Sequence, residues 1–388
     1  MALRRRIGFG LLTFYGVGVM IGAGIYVLVG HVAAEAGGWS PLAFLLAGLV
    51  AAPTAVSYAE LSVRIPQSAG EAAYLRAATG SDLVAAGIGL AVAAVGVVSA
   101  AAVLQGGVGY LRALVDLPAA LLIVAIAIAL GAAAIGGVLE SLMLAAALTA
   151  TEVIGLLMVV GAGATTEAII SPGPMVPISA LSAGALLAFF AFIGFEDMVN
   201  MAEETRDPSK TMPRAITSAL AITTAIYIAV AWAAVRAVPP AALAASEQPL
   251  ALVWERATES KAGFLAAIAV AAALNGVLAQ IVMASRVLYG LGRFSTVFAV
   301  FHNAHARFGT PVLATLLCTL FVIVLALTLP IAALAHATST VLLIVFCCVN
   351  GALIILRRRT PTQGFYAPGW VPWLGLAVSL AASAEALL

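Results

Sequence analysis

Charge is scarce in this 388-residue chain. Asp, Glu, Lys and Arg together make up 9% of it, and 18 basic residues against 17 acidic ones leave a net charge of +1. So little charge cannot clothe a water-facing surface of that size, and without a basic excess there is no footprint for nucleic acid. Cysteine is nearly absent. Cys318, Cys347 and Cys348 all fall inside apolar segments, with the spacing of neither a metal site nor a disulfide framework, and read as packing residues. The four histidines are equally poor ligands: His31 and His336 stand apart near helix ends, and His302 with His305 lacks a third partner, so no metal is expected. A nucleophile elbow, a phosphate loop and the zinc motif HExxH are all missing. No enzyme activity and no cofactor is therefore expected.

What remains is apolar. Hydrophobic residues make up 63% of the chain and its mean hydropathy is +1.14, which places it in a lipid bilayer. A hydrocarbon core about 30 Å thick takes roughly 20 apolar residues per helix. The chain divides into eleven such segments: 7–35, 41–65, 82–110, 118–137, 141–163, 182–201, 214–238, 263–291, 311–329, 331–356 and 371–388. Several are alanine-rich and lack strand alternation, so the expected fold is an all-α integral membrane protein rather than a barrel. The opening MALRRR precedes an apolar run well over the roughly 15 residues of a signal peptide core, which makes it the flank of a first spanning helix. With the amino terminus inside, 14 of the 18 basic residues fall on the inner side: Arg4 to Arg6, Arg64, Arg76, Arg206, Lys210, Arg214, Arg286, Arg293, Arg307 and Arg357 to Arg359. The positive-inside bias then orients the chain in a cell membrane with a cytoplasmic amino terminus.

Two units of five spans each would be inverted relative to one another, because five is odd. The expectation is a five-plus-five inverted repeat in a single transmembrane domain over 1–388, with repeat one over about 7–163, repeat two over about 182–356 and an extra helix over about 371–388. Such folds place their site at a pair of interrupted helices in matching positions. GVGVMIGAGIYVLVG (Gly16–Gly30) spends four glycines in its first nine residues, each costing about 1 kcal/mol relative to alanine in a helix. GALLAFFAFIGFEDMVN, in the sixth span, carries Gly194 in mid-helix, closely followed by Glu196 and Asp197. Small residues at this spacing also let helices approach closely, and Gly16 and Gly18 fit either use. Helix ends leave amides and carbonyls without partners, with partial charges of opposite sign. An amino acid zwitterion matches them: amides of Gly22, Ala23 and Gly24, just after Met20 and Ile21, would meet the carboxylate, and carbonyls of Phe190, Ala191 and Ile193 the ammonium group.

GVGVMIGAGIY resembles the first-span signature of the amino acid/polyamine/organocation transporters, and SYAELSVRIPQSAGEAAYL (Ser57–Leu75) resembles their second-span exit and following loop. FFAFIGFEDMVNMAEETRDPSKTMPRAI (Phe189–Ile216) is similar to the sixth-span signature of the cationic amino acid transporter-like branch, and SRVLYGLGR (Ser285–Arg293) to the end of the eighth span. The resemblance covers almost the whole chain. It implies the same pocket at the first-span glycines and around FAFI, and an aromatic gate at Phe190, with Phe192 as a second candidate. Members of that family commonly have twelve spans; this sequence stops at the eleventh, which fits either an eleven-span chain or a truncated one.

Active transport needs coupling, and acids at membrane depth are the groups to weigh. Glu152, in LTATEVIGLL of the fifth span, is the deepest; it reads either as a proton-exchanging group or as a protonated residue bonded to a neighbouring helix. Some proton-coupled members of the resembled family place a lysine near this position. Glu196, at the second interruption, reads as another proton-coupling candidate or as a brace for unwound backbone. Glu60, Glu203, Glu204 and Asp207 read as loop-ordering charges at the inner surface. The eighth span has no serine or threonine between Phe264 and Ala284, which disfavours sodium; its uncharged polar residues are Asn275, a pocket candidate or a helix-to-helix bond, and Gln280. No acid lies between Leu83 and Tyr110 in the third span, where some cationic amino acid carriers of the resembled family use a carboxylate, so the resemblance favours a neutral or apolar amino acid. The expected activity is alternating-access transport of such an amino acid with protons. Amino acid exchange, cationic amino acid or polyamine transport, and a non-translocating amino acid sensor are the alternatives. The expected partners are the amino acid, the bilayer and protons.

Overall fold

The computed structural model of the chain describes residues 7–22, 24–66, 70–136, 142–167, 175–292, 296–303, 305, 310–359 and 364–387, apart from the side chains of 142–145, 203, 296 and 297. Among them the helices are α1 (Phe9–Ile21), α2 (Gly24–Ala36), α3 (Ser40–Arg64), α4 (Gly70–Thr79), α5 (Asp82–Leu111), α6 (Ala119–Gly136), α7 (Leu142–Thr165), α8 (Ile178–Phe190), α9 (Pro208–Ala237), α10 (Pro240–Ala245), α11 (Pro249–Thr258), α12 (Gly263–Leu291), α13 (Val312–Thr328), α14 (Ile331–Arg359) and α15 (Val371–Leu387). Among the described residues seven helical stretches are long and apolar enough to cross a bilayer; one of them, Gly24–Arg64, joins α2 to α3 across a 3₁₀ turn at Gly37–Trp39. The expected segments 7–35 and 182–201 are each found in two pieces, α1 with α2, and α8 with a 3₁₀ segment at Glu196–Glu204. At 1.5 Å per residue, α1 alone is only about 20 Å long. It needs α2 to complete a crossing.

Lipid gives helices no hydrophobic reason to associate, so close packing of small residues must do so. α5 and α12 meet in this way: a Cβ on Gly89 would stand 2.6 Å from Leu291, one on Gly96 2.8 Å from Met283, and one on Gly107 would overlap Ala273. Buried polar groups add specific ties. Asn350 of α14 accepts from Ser57 at 2.7 Å and donates to Thr54 at 2.9 Å and to its own helix at Phe346 at 2.9 Å. Gly375 of α15 closes on the same side chain, leaving no room for a Cβ. One asparagine thus joins α3, α14 and α15.

The expectation that Glu60 orders a surface loop is corrected by its position. It is completely buried at the end of α3, where its carboxylate accepts from Arg64 at 2.8 Å, from Arg357 of α14, and from the Ala367 amide at 2.9 Å. Arg357 also donates to the Ala367 carbonyl at 2.8 Å and lies 4.2 Å over the Tyr366 ring. In the sequence these arginines read only as charges at the ends of apolar segments. In the fold two of them converge on one acid.

Candidate functional site

The first span breaks among its glycines. Gly22, at φ +23° and ψ −146°, donates its N–H to the Gly18 carbonyl at 3.0 Å and so closes α1; α2 begins at Gly24. Ala23 lies outside the described residues. The expected donor set is therefore corrected: the Gly22 amide is spent on its own helix, and the amides left without intrahelical partners are those of the first turn of α2, from Gly24 through Ile25 and Tyr26. Gly16 and Gly18 serve close approach, since a Cβ at Gly16 would stand 2.8 Å from the Met198 methyl and one at Gly18 3.0 Å from the Thr149 Cβ.

The second break starts where α8 ends. Three tight turns, Ala191 to Ala188, Phe192 to Phe189 and Ile193 to Phe190, use up successive N–H groups at 3.0 to 3.2 Å. Gly194 then takes φ +122°, a value that L residues rarely adopt, and gives its N–H to Glu196 Oε2 at 2.9 Å. Glu196 thus braces the turn. The two breaks touch: a Cβ on Gly24 would stand 3.1 Å from Ala191 Cα, and one on Gly194 3.1 Å from the Val19 backbone. A clasp also links the far ends of the two broken helices, where Ile7 pairs with Glu204 and Arg206 at 3.1 and 2.8 Å.

Tyr227 of α9 joins the breaks directly. Its hydroxyl lies 2.6 Å from the Met20 carbonyl and 2.8 Å from that of Ala191, sharing one hydrogen between two acceptors. Phe44 and Phe192 hold its ring edge-on at centroid distances of 5.7 and 5.1 Å. Phenylalanine at 227 would keep this packing and leave two buried carbonyls without their donor. Tyr227→Phe is expected to lower stability by roughly 1–3 kcal/mol with the fold retained, the cost of a buried polar group left unsatisfied; a melting curve against wild type checks it.

Beside the joined breaks lies a cavity of about 90 Å³. Its wall comes from the first span (Tyr15, Gly18, Val19, Met20, Gly22, Gly24), the sixth (Phe190, Ile193), α5 (Ser99, Val103), α7 (Thr149) and α12 (Ala272, Asn275, Gly276, Ala279, Gln280). Six of the expected residues line it: Met20, Gly22, Gly24, Phe190, Ile193 and Asn275. Ile21 and Ala191 are buried outside the wall. Phe192 is also off the wall, packed on Tyr227, so Phe190 alone of the two gate candidates meets the cavity. Tyr15, Ser99, Thr149 and Tyr227 are functional candidates without a role in the sequence analysis, and Gln280, noted there only as a polar residue of the eighth span, joins them on the wall. Ser99 and Thr149 had a signal, as hydroxyls interrupting apolar runs; Tyr227 had none.

Two buried tyrosines tie α2 to its neighbours. Tyr110 of α5 donates to the Tyr26 carbonyl at 2.8 Å and accepts from the Leu250 amide of α11 at 3.3 Å, while Tyr26 donates to the backbone carbonyl of Glu152 at 3.0 Å. Glu152 is buried on α7 against this relay, outside the cavity wall. In α4, beyond the spanning segments, Glu71 accepts from Tyr58 at 3.0 Å, and burial raises its carboxyl above the ordinary carboxylate value despite that bond.

A bundle of bilayer-length apolar helices, with two of its members interrupted at one point beside an internal cavity, defines a multi-pass membrane transporter. More narrowly, the chain belongs to the amino acid permease family, whose profile matches residues 7–386. It is 27% identical, over a 407-position alignment, to the branched-chain amino acid permease BcaP of Bacillus subtilis, covering 97% of this chain and 86% of that one. It is 30% identical over 372 positions to the methylthioribose transporter of the same organism, with 90% and 80% covered. To the cationic amino acid transporter 4 of Mus musculus it is 29% identical over 388 positions, with 92% and 60% covered. Family and relatives together make this chain a transporter, not an enzyme.

Proposed function

We propose that the protein carries a neutral amino acid across the cell membrane by alternating access, with uptake coupled to protons. One observation carries this reading: two helix ends of opposite polarity meet at a single cavity. The first-turn amides of α2 at Gly24 and Ile25 suit a carboxylate, as helix N-termini generally do. On the other side, the Phe190 carbonyl already takes the Ile193 N–H and that of Ala191 takes the Tyr227 hydroxyl. Ile193 is thus the acceptor for an ammonium group that the turn leaves open, and the Phe190 ring closes over it.

Among its described residues the wall carries no charged side chain, which favours a neutral substrate over a cationic one. The relatives' names point both ways, to branched-chain and to cationic amino acids. α1 with α2, and α8 with its 3₁₀ segment, take equivalent places in repeats over about 7–163 and 182–356, in the manner of inverted-repeat transporters. The amino terminus is cytoplasmic by the positive-inside bias. Glu152, buried beside the start of α2, is the proton site in this scheme, and Glu196 the brace.

The test is uptake into proteoliposomes from a panel of amino acids, with and without a proton gradient. Accumulation of a neutral amino acid driven by the gradient is the expected result. Glu152→Gln is expected to reduce gradient-driven uptake at least tenfold while leaving exchange intact, and undiminished uptake would remove Glu152 from that role. Exchange without any response to the gradient would favour an antiporter. Thermal stabilisation by an amino acid with neither uptake nor exchange would favour a sensor.

A further inference from the structure

One polar atom on the cavity wall has no use in the scheme above. Gln280 lies one helical turn beyond Gly276 on α12, is 8% exposed, and faces the cavity. The Asp197 carboxylate, just past the second break, is a neighbour of its side chain. A carboxamide donates through nitrogen and accepts through oxygen. That oxygen, Oε1, is buried without a hydrogen-bond partner. It lies toward α5 at Gly96, where an added Cβ would stand 3.1 Å from it. A buried acceptor with no donor is a standing desolvation cost, which an incoming O–H or N–H would remove.

We infer that Gln280 is a specificity-determining residue, selecting among neutral amino acids those whose side chain ends in a hydrogen-bond donor, a hydroxyl or a carboxamide. The inference rests on the reading of this cavity as an amino acid site. With the head group held between Gly24 and Ile193, the side chain runs along α12 toward Gln280, and four residues of helix amount to a distance of about 6 Å. Val103 and Ala279 give that path apolar sides, so its end is where polar discrimination falls. A site that offers a buried acceptor rejects the isostere lacking the donor, because the acceptor then stays unpaired.

The test uses two isosteric pairs that differ in the donor, threonine against valine and asparagine against leucine, as competitors in binding and uptake by the full chain in proteoliposomes. Threonine and asparagine are expected to bind at least tenfold more tightly than their apolar counterparts. In Gln280→Met, which keeps the length of the side chain and removes the acceptor, both ratios are expected to fall to within about twofold of unity, with valine and leucine binding undiminished. Gly96→Ala, which crowds Oε1 from the opposite helix, is expected to lower the same ratios and serves if the methionine variant does not fold. Equal binding within both pairs in the wild-type protein, or ratios that survive Gln280→Met, would overturn the inference while the amino acid site stands. Failure of every amino acid in the panel to bind would overturn the reading of the cavity itself.

Discussion

Gly24→Leu is expected to abolish amino acid binding, lowering affinity at least a hundredfold, while the protein stays monodisperse in detergent. Gly24 is the first residue of α2, and its Cβ would stand 3.1 Å from the Ala191 Cα. Backbone cannot yield as the tip of a side chain can, so the leucine either pushes the second break away or turns into the cavity. Both destroy the pairing of donor and acceptor ends. The effect is steric rather than conformational, because Gly24 is not among the positive-φ glycines. Gly24→Ala is the graded control: it needs a shift of only a few tenths of an ångström, and its loss of affinity should fall between wild type and leucine. Ligand-dependent thermal stabilisation measures both, and binding unchanged in Gly24→Leu would take Gly24 out of the site.

Arg357→Met is expected to cause the largest loss of stability, about 3 kcal/mol, because it leaves a buried acid short of a cation. Glu60 is completely buried, and Arg357 meets it from α14 while Arg64 meets it from within α3. Removing Arg357 also frees the Ala367 carbonyl and uncovers the Tyr366 ring, which loosens the approach to α15. The apparent melting midpoint should drop by several degrees. Glu60→Gln combined with Arg357→Met should cost less than the sum of the two single changes, since the acid that needed the cation is gone. Additive losses, or a midpoint unmoved by Arg357→Met, would mean that the pair holds nothing together.

Both breaks are legible in the sequence, because their causes are local. Four glycines within nine residues weaken the first span, and Gly194 interrupts the sixth at a backbone angle that suits glycine. What each atom does at the breaks was not legible. The Gly22 amide fits a substrate carboxylate on paper, yet it bonds back to Gly18. Phe190 and Phe192 look equivalent in FFAFIGF, and only their directions separate them, one to the cavity and one to Tyr227. Glu60 has the sequence of a surface acid. It is buried because an arginine 297 positions away reaches it.

By itself the sequence determined that the chain is a membrane-spanning helical bundle and which two of its apolar segments are broken. Those properties depend on the length of an apolar run against the thickness of lipid and on the intrinsic cost of glycine in a helix, and both are written in neighbouring residues. Tertiary structure alone decided which donors and acceptors remain for a substrate. Tyr227 claims carbonyls 207 and 36 positions away, and the oxygen of Gln280, a cavity-lining residue of α12, is left buried without a partner. A hydrogen bond satisfies a group only when its partner arrives, and the packing of distant helices brings it there.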